Sequence, residues 1–192
     1  MKKFMISLMM CLMALTSNAQ VMTSATVDKV YNTVSQTPDA EFVYNADRDA
    51  DGNIATMVVY QEKTLRKGNF TLKPVHRYQY TYAADGMLTS RTKYVWHKNQ
   101  WQCAGRHDYS LAGGCYTATY SRWNKKKAQF DEPVGQITYT LLPDESIASV
   151  ACYSRHKNDL QLEWQASVAS HTMNMDHILH RNNCEVCLLF KK

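Results

Sequence analysis

The stretch YQYTYAADGMLTSRTKY, residues 78–94, decides the fold class. Tyr78, Tyr80 and Tyr82 recur at every second position before Asp85-Gly86, and Leu88, Ser90, Thr92 and Tyr94 do the same after it. A period of two marks a β-strand, whose successive side chains project to opposite faces. Asp-Gly allows the positive φ that a tight hairpin turn needs. Upstream, VHRYQYTY (75–82) sets His76, Tyr78, Tyr80 and Tyr82 against Arg77, Gln79 and Thr81. Downstream, LTSRTKYVWH (88–97) sets Leu88, Ser90, Thr92, Tyr94 and Trp96 against Thr89, Arg91, Lys93 and Val95. The expectation is a hairpin with one aromatic face and one polar face.

The same arrangement recurs along the chain. Aromatic residues align as Tyr44, Tyr60, Phe70; Tyr80, Tyr94, Trp101; Tyr109, Tyr120, Phe130; and Tyr139, Tyr153, Trp164. The third members lie 31, 29 and 34 residues apart, at 70, 101, 130 and 164. Between the first and second members stand the turn signals Asp51-Gly52, Asp85-Gly86, Gly113-Gly114 and Pro143-Asp144. Tyr116, Ala118 and Tyr120, then Ile137, Tyr139 and Leu141, then Leu160, Leu162 and Trp164 continue the alternation. Short links exclude parallel crossovers, so four successive hairpins predict an all-β fold, an open antiparallel meander over 41–168. Ahead of it, within 20–40, Val27, Val30, Tyr31 and Val34 have helical spacing that stops at Pro38. They predict a short N-terminal helix covering part of the aromatic face. Residues 169–192 follow as an irregular C-terminal tail.

The segment 78–94 resembles the YD-type repeats of large secreted shell proteins: tyrosines, an Asp-Gly turn, a leucine and a further aromatic strand. LAGGCY (111–116) departs from that pattern by lacking the Asp. With RWNKKKAQFDEP (122–133), the chain also resembles an uncharacterised family of small secreted proteins from gut Gram-negative bacteria. That resemblance implies a β-repeat fold and carries no catalytic residue.

The first residues, MKKFMISLMMCLMALTSNA, read as a secretory signal peptide, 1–19, with Lys2 and Lys3 ahead of an apolar run too short for a confident membrane span. The mature chain is expected to carry no transmembrane span and to be secreted, to the periplasm or cell surface. Losing two lysines takes the formal charge from +5 to +3. That is too small and too dispersed for a nucleic-acid partner. Lys125-Lys126-Lys127 reads as a solvated turn. Of five mature cysteines, Cys115 and Cys152 should lie on strands separated by the strand of Tyr139. They would be about 9.6 Å apart, beyond the roughly 7 Å that a disulfide spans.

Candidate sites divide into three groups. The sheet offers Tyr78, Tyr80, Tyr82, Tyr94, Trp96, Tyr120, Tyr139 and Tyr153 as an aromatic platform for a glycan or an envelope protein, where it is not core. The tail offers His171, Met173, Met175, His177, His180, Cys184 and Cys187, soft and borderline ligands suited to copper before zinc. The spacing of His180 and Cys184 is too short for a zinc finger. DRDADGNI (47–54) imitates the start of a calcium loop, but position twelve is Val58 instead of a bidentate Glu, so a polar turn is the simpler reading. No G-x-S-x-G, P-loop, dinucleotide-glycine or H-E-x-x-H motif is present, and His107 and Asp108 would point to opposite faces of a strand. A hydrolase would need carboxylates that the sequence does not single out. The reading is a secreted binding module with no required cofactor, whose two edge strands, near Phe42 and Trp164, could also pair with another copy.

Overall fold

The computed structural model describes residues 21–36, 41–64, 69–143 and 146–167. These residues form one helix, α1 (Ser24–Ser35), and ten strands: β1 (Phe42–Arg48), β2 (Ile54–Thr64), β3 (Phe70–Tyr82), β4 (Leu88–His97), β5 (Gln100–Ala112), β6 (Cys115–Asn124), β7 (Gln129–Phe130), β8 (Gly135–Leu141), β9 (Ile147–His156) and β10 (Asp159–Ser167). The predicted all-β class, open antiparallel sheet and short N-terminal helix are all present. The chain forms two compact units, Met22–Arg106 and, among the remaining described residues, Val21 with 107–167. Strand β5 contributes to both. In the first unit the order is β1-β2-β3-β4-β5, and in the second β5-β6-β8-β9-β10, with β7 paired to β6.

Turn chemistry follows the sequence. Gly86 has φ +80° and Gly113-Gly114 have φ +56° and +71°, in the left-handed region where a side chain is strained. The Asp85 carboxylate accepts from the Met87 N–H at 2.9 Å, so the aspartate organises the turn it precedes. The β4–β5 turn uses Lys98 (φ +48°) and Asn99 (φ +60°). Two consecutive positive φ values match the mirror-image turns that suit the twist of a hairpin, here without glycine. Lys125–Ala128 form an exposed turn, as their charge requires.

Helix α1 begins at Thr23, whose hydroxyl accepts from Thr26 N–H at 3.3 Å, and lies against β1 and β2. Its Val27 and Val30 are buried, as are Ile54, Met57, Val59, Tyr80 and Leu88 of the sheet. Among the described residues no helix is long and apolar enough to cross a membrane.

The expected single aromatic face is corrected by one β-bulge. Tyr82 pairs with Leu88, and continuing that register would place Tyr80 opposite Ser90, Tyr78 opposite Thr92 and His76 opposite Tyr94. Instead the register shifts between Thr81 and Tyr82, so Tyr80 faces Arg91, Tyr78 faces Lys93 and Arg77 faces Tyr94. Directly paired residues share a face, and a slip of one residue moves a whole strand's set to the other side. Tyr78 and Tyr80 therefore lie on the face of Met57 and Val59, while Tyr94 and Trp96 lie opposite, with Arg77 and Val58.

A second bulge acts in the other unit. Leu162 pairs with Tyr153, but Trp164 pairs with Cys152, leaving Glu163 as the extra residue. The shift turns Trp164 onto the face of Ile137, Val150 and Cys152, where it packs against that buried cluster with Tyr139 and Ile147. Tyr153 and Leu162 are left on the opposite face, beside Gln136, Thr138 and Ala151. Strand β8 separates Cys115 from Cys152, as expected. Cys152 is disulfide-bonded, whereas Cys103 and Cys115 are free thiols, so no bond joins 115 to 152.

Candidate functional site

The two faces of residues 22–106 differ in what they bury. Met57, Val59 and Tyr80, buried residues of β2 and β3, share one face. On the other, Val58, Arg77, Thr92, Tyr94, Trp96, Trp101 and Cys103 are half-buried, and Val43, Asn45 and Gln79 are exposed. Among the described residues that second face is the more open one.

At its centre Arg77 stands over two rings, its guanidinium carbon 4.4 Å from the Tyr94 centroid and 5.3 Å from that of Trp101. Trp101 meets Trp96 edge to face at 4.9 Å. The bulge at Thr81/Tyr82 builds this group, because it alone brings Arg77 opposite Tyr94. Cation–π contact stabilises a guanidinium but consumes none of its five N–H donors. The Arg77 Nε is buried without an acceptor, and no carboxylate pairs with this side chain among the described residues.

The covered face has its own cations. Lys93 Nζ lies 6.0 Å and the Arg91 guanidinium carbon 5.6 Å from the Tyr78 centroid. Burial, with Arg91 adding repulsion, lowers the pKa of Lys93. Burial, then the Lys93 charge, pushes His76 down to about 4, so its imidazole is neutral at neutral pH. Tyr82 is fixed differently: its hydroxyl donates to the Ile54 carbonyl at 2.9 Å, and burial raises its pKa.

In residues 107–167 rings meet rings. Tyr109 stacks on Tyr116 at 6.3 Å with 7° between planes, Tyr116 meets Tyr139 at 6.2 Å, and His107 lies 4.8 Å from Tyr120. Tyr116 is 5% exposed. Of the eight platform candidates, Tyr94 and Trp96 thus stand on the open face of 22–106. Tyr78, Tyr80 and Tyr82 are tied to the covered side or to Ile54, Tyr120 and Tyr139 join the ring series, and Tyr153 stands apart on the reverse. Arg77 and Trp101 belong to the site and were absent from the sequence candidates.

Sequence reading also missed a serine, a histidine and a glutamate that meet across the β9–β10 hairpin. The Ser154 hydroxyl donates to Glu163 Oε1 and lies 3.2 Å from His156 Nε2, which is 3.3 Å from the same Glu163 oxygen. A hydrolytic triad needs the acid on one imidazole nitrogen and the nucleophile on the other. Here acid and hydroxyl share Nε2 and bond each other, so the group pins the bulged Glu163 to its neighbour strand. The seven-residue separation of His156 and Glu163 follows no catalytic motif.

The DRDADGNI loop is a polar turn. Asp49 Oδ1 accepts from Asp51 N–H at 3.0 Å and Asn53 N–H at 2.9 Å, while Arg48 donates to Gly52 O at 2.5 Å and to Asp28 at 2.7 Å. Among the described residues no three His, Cys, Asp or Glu side chains form a metal-sized group. The tail ligands His171, Met173, Met175, His177, His180, Cys184 and Cys187 lie outside the described residues.

Residues 1–141 match the model of a family of unknown function, DUF3836. The chain belongs to this family. The match takes in the whole Arg77 group and ends at the close of β8. Among solved structures, the chain is similar to a protein of unknown function from Bacteroides fragilis, with 26% identity and a TM-score of 0.59, covering 66% of this chain and 91% of that one. It is also similar to a DUF3836 family protein from Bacteroides vulgatus, with 22% identity and a TM-score of 0.46, covering 52% of this chain and 98% of that one. No curated protein matches the chain.

Proposed function

We propose that this DUF3836 member is exported, loses residues 1–19 and serves at the cell envelope as a non-enzymatic module that binds a glycan through the open face of residues 22–106. The observation that carries the reading is the grouping of Tyr94, Trp96 and Trp101 around Arg77 on the side of the sheet opposite the buried Met57, Val59 and Tyr80. Half-buried rings held by their neighbours offer flat apolar area at little entropy cost, which suits the C–H faces of sugars. The surroundings favour a glycan over an envelope protein. Gln79, Thr92 and Thr56 supply polar groups beside the rings, with Val58 paired to Arg77, a more polar surround than the apolar centre of a protein interface.

A glycan array probed with the mature chain tests this. Binding to a defined glycan class is expected, weakened at least about tenfold by Trp96→Ala or Trp101→Ala and unchanged by Tyr153→Ala. Absence of any glycan binding, or binding indifferent to both tryptophans, overturns the reading.

A further inference from the structure

The open face also carries a charge that no carboxylate among the described residues answers. Arg77 is held at mid-strand between Tyr94 and Trp101, and its orientation is fixed by packing before any ligand arrives. Its Nε is withdrawn from water and meets no acceptor among the described residues. A half-buried guanidinium in an aromatic setting is normally answered by a carboxylate or by backbone carbonyls, because desolvating a charge without a partner is costly. Arg155 illustrates the ordinary case: it donates to Pro133 O at 2.6 Å and Asn158 O at 2.9 Å and faces Glu132 at 3.8 Å.

We infer that the Arg77–Tyr94–Trp96–Trp101 group is a subsite for an acidic sugar, a hexuronic acid residue whose ring lies on the aromatic side chains and whose carboxylate takes the guanidinium. The inference rests on the glycan-binding reading and narrows its ligand class. Two features select a carboxylate among anions. The guanidinium presents a planar fork that matches a carboxylate's two oxygens. No second cation contacts Tyr94, Trp96 or Trp101 among the described residues, so the group offers one positive charge, where a sulfate or phosphate ester is commonly met by several. Thr92 and Gln79, paired across β3 and β4 on the same face, stand one row away and are placed for sugar hydroxyls.

The test uses the mature full chain and four probes: polygalacturonate, its fully methyl-esterified form, alginate and neutral galactan, with affinities measured by titration. Binding to at least one of the two polyuronates is expected. If that polymer is polygalacturonate, methyl esterification should weaken it at least about tenfold, since the ester keeps the ring and removes the charge. Arg77→Gln should cost a similar factor against the polyuronate that binds, and Arg77→Lys should recover part of it. Circular dichroism and Tm of each variant separate misfolding from lost recognition, and the esterified probe leaves the protein untouched. Equal affinity for acid and ester, or a polyuronate affinity that Arg77→Gln leaves intact in a folded variant, overturns the acidic-sugar subsite. Tryptophan-dependent binding to neutral glycans alone also overturns it while sparing the broader reading. Failure to bind any of these probes or any array glycan overturns both.

Discussion

Residues 22–106 and 107–167 are made from the same kind of hairpin, yet they dispose of their aromatic side chains in opposite ways. In the first, rings are met by cations: Arg77 by Tyr94 and Trp101, Arg91 and Lys93 by Tyr78. In the second, rings are met by rings, through Tyr109, Tyr116 and Tyr139, and by the apolar cluster of Ile137, Val150 and Cys152. The difference comes from register. A bulge in the β3–β4 pair divides its aromatics between the faces and leaves basic residues beside them, whereas β6, β8 and β9 pair without interruption from Gly135 to Thr140, keeping Tyr116 beside Tyr139 and Ala118 beside Ile137. Composition is shared, and one inserted residue separates rings packed on rings from rings met by cations.

Removing one ring from each region should have the largest and most unequal effects. Tyr116→Ala, at a buried and stacked position, should cost about 3–5 kcal/mol of stability by urea denaturation. Tyr94→Ala, under a half-buried guanidinium, should cost only about 1 kcal/mol. Equal losses would mean that the two ring systems do the same structural work. Lys93→Met should raise stability by roughly 1 kcal/mol, because it removes a partly desolvated charge repelled by Arg91 and keeps the aliphatic packing. A lower Tm for this variant would show that the ammonium has a stabilising partner.

Acid should act on the same side of 22–106. The unfolded His76 takes up a proton near its ordinary 6.5, but the folded imidazole does so only near 4. Between those values the unfolded chain binds more protons, so this residue's contribution to stability falls as pH drops from 6.5 to 4 and is intact above 6.5. Urea midpoints at pH 7 and pH 4.5 should differ less in His76→Leu than in the parent chain, and an identical difference would remove His76 as the cause. The smallest effect is chemical. Cys103 and Cys115 should be alkylated without reductant, Cys103 the more slowly because burial raises its thiol pKa. Non-reducing peptide mapping that recovers a Cys115–Cys152 link would contradict the β6-β8-β9 order.

The meander was legible because its signals are local and periodic. Alternating tyrosines give strands, and Asp51-Gly52, Asp85-Gly86 and Gly113-Gly114 give reversals. The turn at Lys98-Asn99 adopts left-handed conformations without glycine, and the two-residue β7 is set by Trp123 meeting Phe130 edge to face at 5.0 Å, a pairing that leaves no periodic trace. The open-face group was legible only in pieces. Tyr94 and Trp96 were visible as ring positions, but Arg77 read as part of a polar face, since alternation within a strand cannot report a register shift between strands. A basic residue inside a run of alternating tyrosines was the available hint. Ser154, His156 and Glu163 were hidden for the same reason, meeting only where the bulge at Glu163 brings that residue toward β9.

Everything proposed for the open face depends on the bulge between Thr81 and Tyr82, and cross-strand NMR contacts between α-protons and rings read that register directly. Contacts of Tyr78 with Lys93 and of Arg77 with Tyr94 are expected, with the Arg77 side-chain protons shifted upfield by the Tyr94 and Trp101 rings and returning toward ordinary positions in Tyr94→Leu. Contacts of Tyr78 with Thr92 and of His76 with Tyr94 would contradict it, placing the aromatics on one face and dissolving the Arg77 site.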